Sequence, residues 1–567
     1  MLLSETPVIT APVRPVSWRR DLGILALAFV LLIGFRLGSY PLASPDEARN
    51  AEIAREMLAS GDFVTPRLNG VNYFEKPPLV YWAVAGSLRV FGENEWAVRM
   101  VPAVFGLGGV LLTYAAARGF HGREAGLAAA AVLGTSLLHL GLSRFLILDM
   151  AVAVLMSATL FCFILGIREA AGARRRWLFY GLYASAALAT MTKGLIGFLV
   201  TGAVMFLWLL IFNQWKRLRP FYLPSGLLLF LAIAGPWHVL AALRNETWGH
   251  RYFVYEHFER FTSLAADWPG PWYYFIPVIL LGVFPWTGFL GCSMQHALAG
   301  GWAARKERAD QWFFVVWIGF IFLFFSASRS KLPPYILPVF PPLAVLIGAW
   351  FVNGADGEPR RLRRGLRVFS FFCGLVSVML LVTVLKTGLV IRDPEQAAIL
   401  RPFGVAIAVV LLSGGLFAPW LARMRGERNA LAAMAMTMAM VIAVLTFAAG
   451  HVQRPSTKPL AQTVDATAKP GERVVHYHEF FHDFVFYARR VVDVVAFKGE
   501  LQLEEDAAAR ASGRFLQEPE FRTLWAQGGR VFAVARKRDL KELFGDSSFR
   551  YHLLGETRDH YLFSNQP

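Results

Sequence analysis

The chain of 567 residues is 56% hydrophobic and 17% charged, with 47 Phe, 17 Trp and a mean hydropathy of +0.44, which excludes a soluble globular protein of this length. The formal charge of +17 does not point to nucleic acid, because the basic residues fall in short clusters between apolar runs and no recognition motif accompanies them. Cys162, Cys292 and Cys373 lie in apolar stretches without CxxC spacing, which argues against a disulfide framework or a zinc-thiolate site.

A helix needs about 20 apolar residues to cross a bilayer. Runs of that size begin near residues 21, 97, 124, 146, 177, 195, 222, 272, 312, 332, 368, 403 and 430, predicting about 13 transmembrane helices. No small-residue cleavage site follows the first run, so it reads as a retained helix and not a signal peptide. Basic clusters recur in every second loop: Arg14, Arg19 and Arg20; Arg118 and Arg123; Arg168 with Arg174, Arg175 and Arg176; Lys216, Arg217 and Arg219; Arg305, Lys306 and Arg308; residues 360–367; and Arg423, Arg425 and Arg428. That alternation predicts a cytoplasmic N-terminus, and an odd helix number leaves the C-terminal segment outside.

The chemically unusual residues collect in the opposite set of loops. The first, residues 41–96, carries LASPDEARNAEIAREML and then NGVNYFEKPPLVYW. Later ones carry SRFLILD (143–149), MTKG (191–194), RYFVYEHFERF (251–261, within an external loop 242–271) and SRSKLPPYILP (328–338). Within AEIAREML, Glu52, Arg55 and Glu56 share one helical face and Ile53, Met57 and Leu58 lie near another, which predicts an amphipathic helix on the membrane interface. Beyond residue 450 the pattern changes to β-branched stretches such as GERVVHYHEFF, RRVVDVVAF and GGRVFAVARK, separated by helix-like segments. This predicts a transmembrane domain over 1–450 followed by an α/β domain over 451–567. The latter lacks GxGxxG and a P-loop, and HYHEFFHD, with His476, His478 and His482, reads as a strand with exposed flanks and not as a metal site.

Lys76, Lys193, Arg260 and Lys331 supply cations on the external side, beside prolines and glycines that shape loops, which favours a pocket for a phosphate-bearing ligand over simple interface anchoring. Asp46, Glu47, Glu75 and Asp149 share that side. Acids there can merely neutralise the cations, but Asp46 and Asp149 each abut a membrane helix, where charge is costly unless used. A site outside the cytoplasm has no nucleotide supply, so an activated group must arrive on a lipid carrier, which points to a transferase using a polyprenyl-phosphate-linked sugar. A transporter or flippase would keep its charges near the bilayer midplane in broken helices. A structural scaffold would leave YFEKPP unexplained.

PDEARNAEIAREMLASGDF, YFEKPPLVYW, the LD at 148–149, MTKG, WYYFIPV and SKLPPYIL occur in one order, and between residues 40 and 340 the chain resembles the lipid A 4-amino-4-deoxy-L-arabinose transferases of the GT-C glycosyltransferase superfamily, relatives of the protein O-mannosyltransferases. The resemblance implies a GT-C fold in a bacterial inner membrane, with a periplasmic active site and C-terminal domain. It implies an undecaprenyl-phosphate-linked aminosugar donor, lipid A as acceptor, contact with membrane lipids, no nucleic acid and a monomeric chain. Carried over by residue, it makes Asp46 and Asp149 the catalytic acids and puts Lys76, Arg260 and Tyr335 around the carrier phosphate with Tyr73 and Glu75 beside them; Arg49, Lys193 and Lys331, cations of the same side, complete the expected substrate-binding set. Glu75 and His257 resemble a pair that holds a divalent metal, zinc, in the family. Asn50, where a tyrosine is expected, and Pro78, which extends KP to KPP, depart from the pattern. A lipid A phosphate is already anionic and leaves Asp46 an orienting role; a hydroxyl acceptor requires it as base. A related enzyme glycosylating a protein hydroxyl or another glycolipid is the alternative.

Overall fold

The computed structural model describes residues 18–252, 269–354, 357–385, 393–452, 455–496, 501 and 506–567. Its first ten helices are α1 (Trp18–Gly34), α2 (Asp46–Ser60), α3 (Leu79–Phe91), α4 (Glu95–His121), α5 (Arg123–Thr135), α6 (Leu137–Leu142), α7 (Leu148–Gly166), α8 (Ala173–Lys193), α9 (Ile196–Phe212) and α10 (Leu223–Arg244). The later long helices are Ala309–Ala327, Phe340–Asn353, Pro359–Leu385, Pro394–Arg425 and Glu427–Ala449.

Every apolar run singled out in the sequence lies in or opens onto a helix. Among the described residues eight helices are long and apolar enough to span a membrane, or nine if the bent pair Phe275–Gly282 and Thr287–Ala297 is one span. The difference from thirteen has local causes. α1 and α9 stop at 17 residues, and α8 opens on Ala-Arg-Arg-Arg, which dilutes its hydropathy. The run at 124 is cut at Ser136, whose extended backbone separates α5 from the six-residue α6. α7 and the 333–353 segment lie inside the bundle, whereas α10 and the 359–384 segment are peripheral. Lipid tails supply no hydrophobic force between helices, so close backbone approach takes over. Gly348 is such a contact: a Cβ there would stand 2.7 Å from the Ala125 carbonyl of α5.

The C-terminal segment forms a six-stranded sheet. Two short strands between α2 and α3, β1 (Arg67–Leu68) and β2 (Val71–Asn72), form a separate hairpin. The sheet comprises β3 (Arg473–Tyr477), β4 (Asp493–Val495), β5 (Phe515–Leu516), β6 (Val531–Arg536), β7 (His552–Glu556) and β8 (His560–Ser564), in the order β5-β4-β3-β6-β8-β7. β3 to β6 pair in parallel, and β8 and β7 add antiparallel at one edge. Helices cover both faces, as an α/β domain requires. The face under Leu460, Phe481, Phe484 and Val494 is continuous with Leu42, Ala48, Ile53 and Met57 of the segment between α1 and α3. That segment and the sheet therefore share one hydrophobic core.

This packing corrects two expectations. α2 does not lie on a lipid surface, since ten of its fifteen residues are buried, Glu52, Arg55 and Glu56 among them. Arg55 donates two 2.7 Å hydrogen bonds to Glu52, and Glu56 accepts the amide of Gly70 at 2.9 Å, so the polar face is consumed internally. The histidine stretch is not surface either. His476 and His482 are buried, and only His478 is open to solvent.

Candidate active site

The site is assembled around the start of α2, the turn that leads into α7, and the end of α8, which packs alongside α7. α2 begins directly after Pro45, with Asp46 and Glu47 in its first turn, where the positive end of the helix dipole favours acids. The two neighbours diverge at once. Asp46 is half exposed and pairs with Arg49 one turn on, at 2.9 Å. Glu47 is completely buried and receives Arg99 at 2.9 and 2.7 Å, the Ala43 amide at 3.0 Å and the Leu146 amide at 3.1 Å. Arg99 in turn donates to the carbonyls of Leu37, Tyr40 and Pro41 and stacks on the Tyr40 ring. Glu47 is thus the pin that joins α1, α4 and the turn before α7.

Three residues beyond Leu146, Asp149 sits in the first turn of α7. Lys193 is the last residue of α8, which ends at Gly194 with a positive φ of 79°. Each charge sits at the helix end its sign favours. They meet at 2.5 Å with side chains 14% and 18% exposed, and the Lys193 ammonium stands 4.4 Å from the centre of the Tyr335 ring. Three of the sequence-predicted residues are thereby brought together as an acid, a cation and an aromatic face, with the cation shared between the other two.

The YFEKPP segment borders this cluster. Phe74 packs among Met191 of α8 and Trp237 of α10, which fixes the loop beside the end of α8. Burial pushes the Tyr73 phenol well above its ordinary value, with the Glu75 carboxylate adding to the rise and Arg49 opposing it. The Lys76 ammonium donates to the Glu75 carbonyl at 2.8 Å. Lys331 is buried near Gly270, with its ammonium on the Ser328 carbonyl, so the structure does not join it to the Asp149 cluster. Arg260 and His257 lie outside the described residues. Glu75 is one ligand of the expected metal pair, and among the described residues no group of three or more His, Cys, Asp or Glu gathers as a metal site requires.

Sequence reasoning missed Arg99 and Tyr487. An arginine four residues into the apolar α4 is the signal that could have revealed Arg99, because a charge there demands a partner. Tyr487 carries no such signal. Its hydroxyl accepts the Leu42 amide at 2.9 Å and donates to Glu95 at 2.9 Å, tying the C-terminal domain to the segment that leads into Asp46.

A family model described as dolichyl-phosphate-mannose-protein mannosyltransferase matches residues 75–239. The undecaprenyl phosphate-alpha-4-amino-4-deoxy-L-arabinose arabinosyl transferase of Aeromonas salmonicida (strain A449) is 32% identical over 400 residues, 70% of this chain and 70% of that one. The chain belongs to this arabinosyl transferase family. Arabinosyl transferase 2 of Proteus mirabilis (strain HI4320) is 33% identical over 377 residues, 65% of this chain, and the match spans 66% of that relative's length. The crystal structure of ArnT from Cupriavidus metallidurans bound to undecaprenyl phosphate aligns with a TM-score of 0.86 at 27% identity, over 97% of this chain and 98% of that one. The fold is therefore that of the GT-C arabinosyl transferases, a multi-span membrane protein carrying the C-terminal sheet.

Proposed function

We propose that the protein transfers 4-amino-4-deoxy-L-arabinose from undecaprenyl phosphate to a lipid A phosphate at the periplasmic face of the inner membrane. The observation that carries this reading is likeness over nearly the whole chain to the structure of Cupriavidus metallidurans ArnT bound to undecaprenyl phosphate, joined to the Asp149, Lys193 and Tyr335 cluster at a helix mouth. The bond from the sugar's anomeric carbon to the carrier phosphate breaks, and a bond to an acceptor oxygen forms. Negative charge grows on the carrier phosphate as it leaves. Lys193, released from Asp149 toward that phosphate, and Lys76 supply fixed positive charge where it develops. Asp46 and Asp149 then face the electron-poor anomeric carbon. With a phosphate acceptor Asp46 orients and stabilises; with a hydroxyl acceptor it takes the proton. The N-terminus is cytoplasmic and the C-terminal domain periplasmic in this reading, which the basic clusters of alternate loops support.

The test is mass spectrometry of lipid A from cells with and without the gene: a shift by one aminopentose is expected, and its absence rejects the reading. A second reading, transfer to a protein hydroxyl, is favoured by the mannosyltransferase family match. It predicts unchanged lipid A and a glycosylated protein. Binding of a divalent metal by Glu75 and His257, the latter outside the described residues, belongs to the proposal as well, and no step is routed through the metal. Glu75→Ala should lower the metal per chain of purified protein; a full retained equivalent counts against it.

A further inference from the structure

A cleft of about 710 Å³ opens between the C-terminal domain and the segment just before Asp46. One wall is Ser44 and Pro45; the other carries Thr457, His482, Arg536 and Arg538. Its acids are already engaged. Glu479 holds Arg536, Asp483 accepts the Ser456 hydroxyl and the Thr457 amide at 2.9 and 2.7 Å, and Asp539 lies 3.5 Å from Arg538. One donor is left over: the Arg536 Nε is buried and has no hydrogen-bond partner among the described residues, whereas the Thr457 side chain already serves the Asp483 carboxylate. A second cavity of about 440 Å³ shares Arg536, Arg538 and His560 with the first and adds Arg558, Asp559 and Lys537, the last paired with Glu556 at 2.8 Å. The combined space has a mixed polar and apolar lining, one spare buried donor, basic side chains in excess of Asp559 at its far end, and the residue before Asp46 at its near end. Its volume lies in the range that encloses a small organic ligand.

Resting on the function proposed above, we infer that this cleft receives the acceptor's headgroup, a phosphorylated glucosamine disaccharide, with one phosphate beside Asp46 and the distal phosphate against Arg538 and Arg558. Guanidinium groups match phosphate oxygens in pairs, and the hydroxyl and imidazole groups between them suit sugar hydroxyls. The C-terminal domain then selects the acceptor while the membrane-edge cluster handles the donor.

The probe is the acyl-free, bisphosphorylated glucosamine disaccharide, titrated by calorimetry into full-length protein in zwitterionic nanodiscs. Wild type should bind it saturably, and the Arg538→Ala/Arg558→Ala double variant should bind at least tenfold more weakly while keeping wild-type affinity for undecaprenyl phosphate, which reports an intact fold. In turnover the same variant should raise the acceptor KM with little change in kcat. Equal headgroup binding by variant and wild type, or none by wild type, overturns the inference. Transfer to lipid A with an unchanged acceptor KM in the variant overturns it while leaving the proposed function standing. Headgroup binding that the variant loses, in a protein that never modifies lipid A, rejects the proposed function and keeps the cleft.

Discussion

Asp21 and Asp149 each stand in the first turn of a helix, at opposite ends of the bundle, and they are held in opposite ways. Asp21 is fully buried and saturated: it receives the Tyr114 hydroxyl at 2.6 Å, Arg118 at 3.2 Å and Arg123 at 2.8 and 2.7 Å. Among the described residues Asp149 has its hydrogen bond from Lys193, and that ammonium also faces Tyr335. A carboxylate with every lone pair occupied can only hold structure. One whose partner is shared and partly open to solvent can exchange that partner for a ligand. The same contrast recurs within one turn of α2, between saturated Glu47 and open Asp46.

If saturation separates anchors from working groups, the largest effect on stability should come from an anchor. Glu47→Ala leaves the fully buried Arg99 without its carboxylate and should cost about 3 to 5 kcal/mol, read as a fall in folded yield and thermal midpoint. An unchanged midpoint would erase the distinction. Asp46→Asn should do the reverse, keeping the midpoint while transfer drops a hundredfold or more, about 2.7 kcal/mol in barrier, with donor binding intact. Normal turnover in folded protein would remove Asp46 from the site. Lys76→Ala sharpens the contrast on the binding side. Loss of a charge-assisted contact should weaken undecaprenyl phosphate binding by about 1.5 to 3 kcal/mol, measurable by titration.

The smallest effect concerns the histidine beside the cleft. Burial, with Arg49 adding to it, pushes the His482 imidazole down to about 3. The unfolded chain takes up its proton near pH 6.5, so the native state is favoured above that value and loses stability as pH falls below it. Between pH 7 and 5 this one group should cost about 2 kcal/mol, and His482→Gln should flatten the acid slope of the unfolding midpoint. A slope that survives the substitution would assign the acid sensitivity elsewhere.

The membrane class, the positions of the helices, the α/β character of the C-terminal segment and the family were all legible in the chain, because hydropathy, strand pattern and ordered motifs are local properties. Asp149 and Lys193 could each be singled out for standing at a helix end. That they form a pair depends on α7 and α8 packing side by side, which no spacing in the sequence records. The amphipathic reading of α2 went astray for the same reason. A polar stripe of Glu52, Arg55 and Glu56 looks alike whether it meets water or buried partners, and here the partners come from its own helix and from Gly70.

Composition and charge pattern by themselves determined a multi-span membrane chain with its charges gathered between and at the ends of helices, since charge in hydrocarbon is costly. The tertiary structure alone decided that the segment between α1 and α4 and the C-terminal sheet share a core, with Tyr487 and Glu95 locking one to the other across nearly 400 residues of sequence. It also decided which of two adjacent acids is buried and saturated and which stays half exposed. Those outcomes depend on which distant groups arrive within hydrogen-bond reach, and only the packed chain sets that distance.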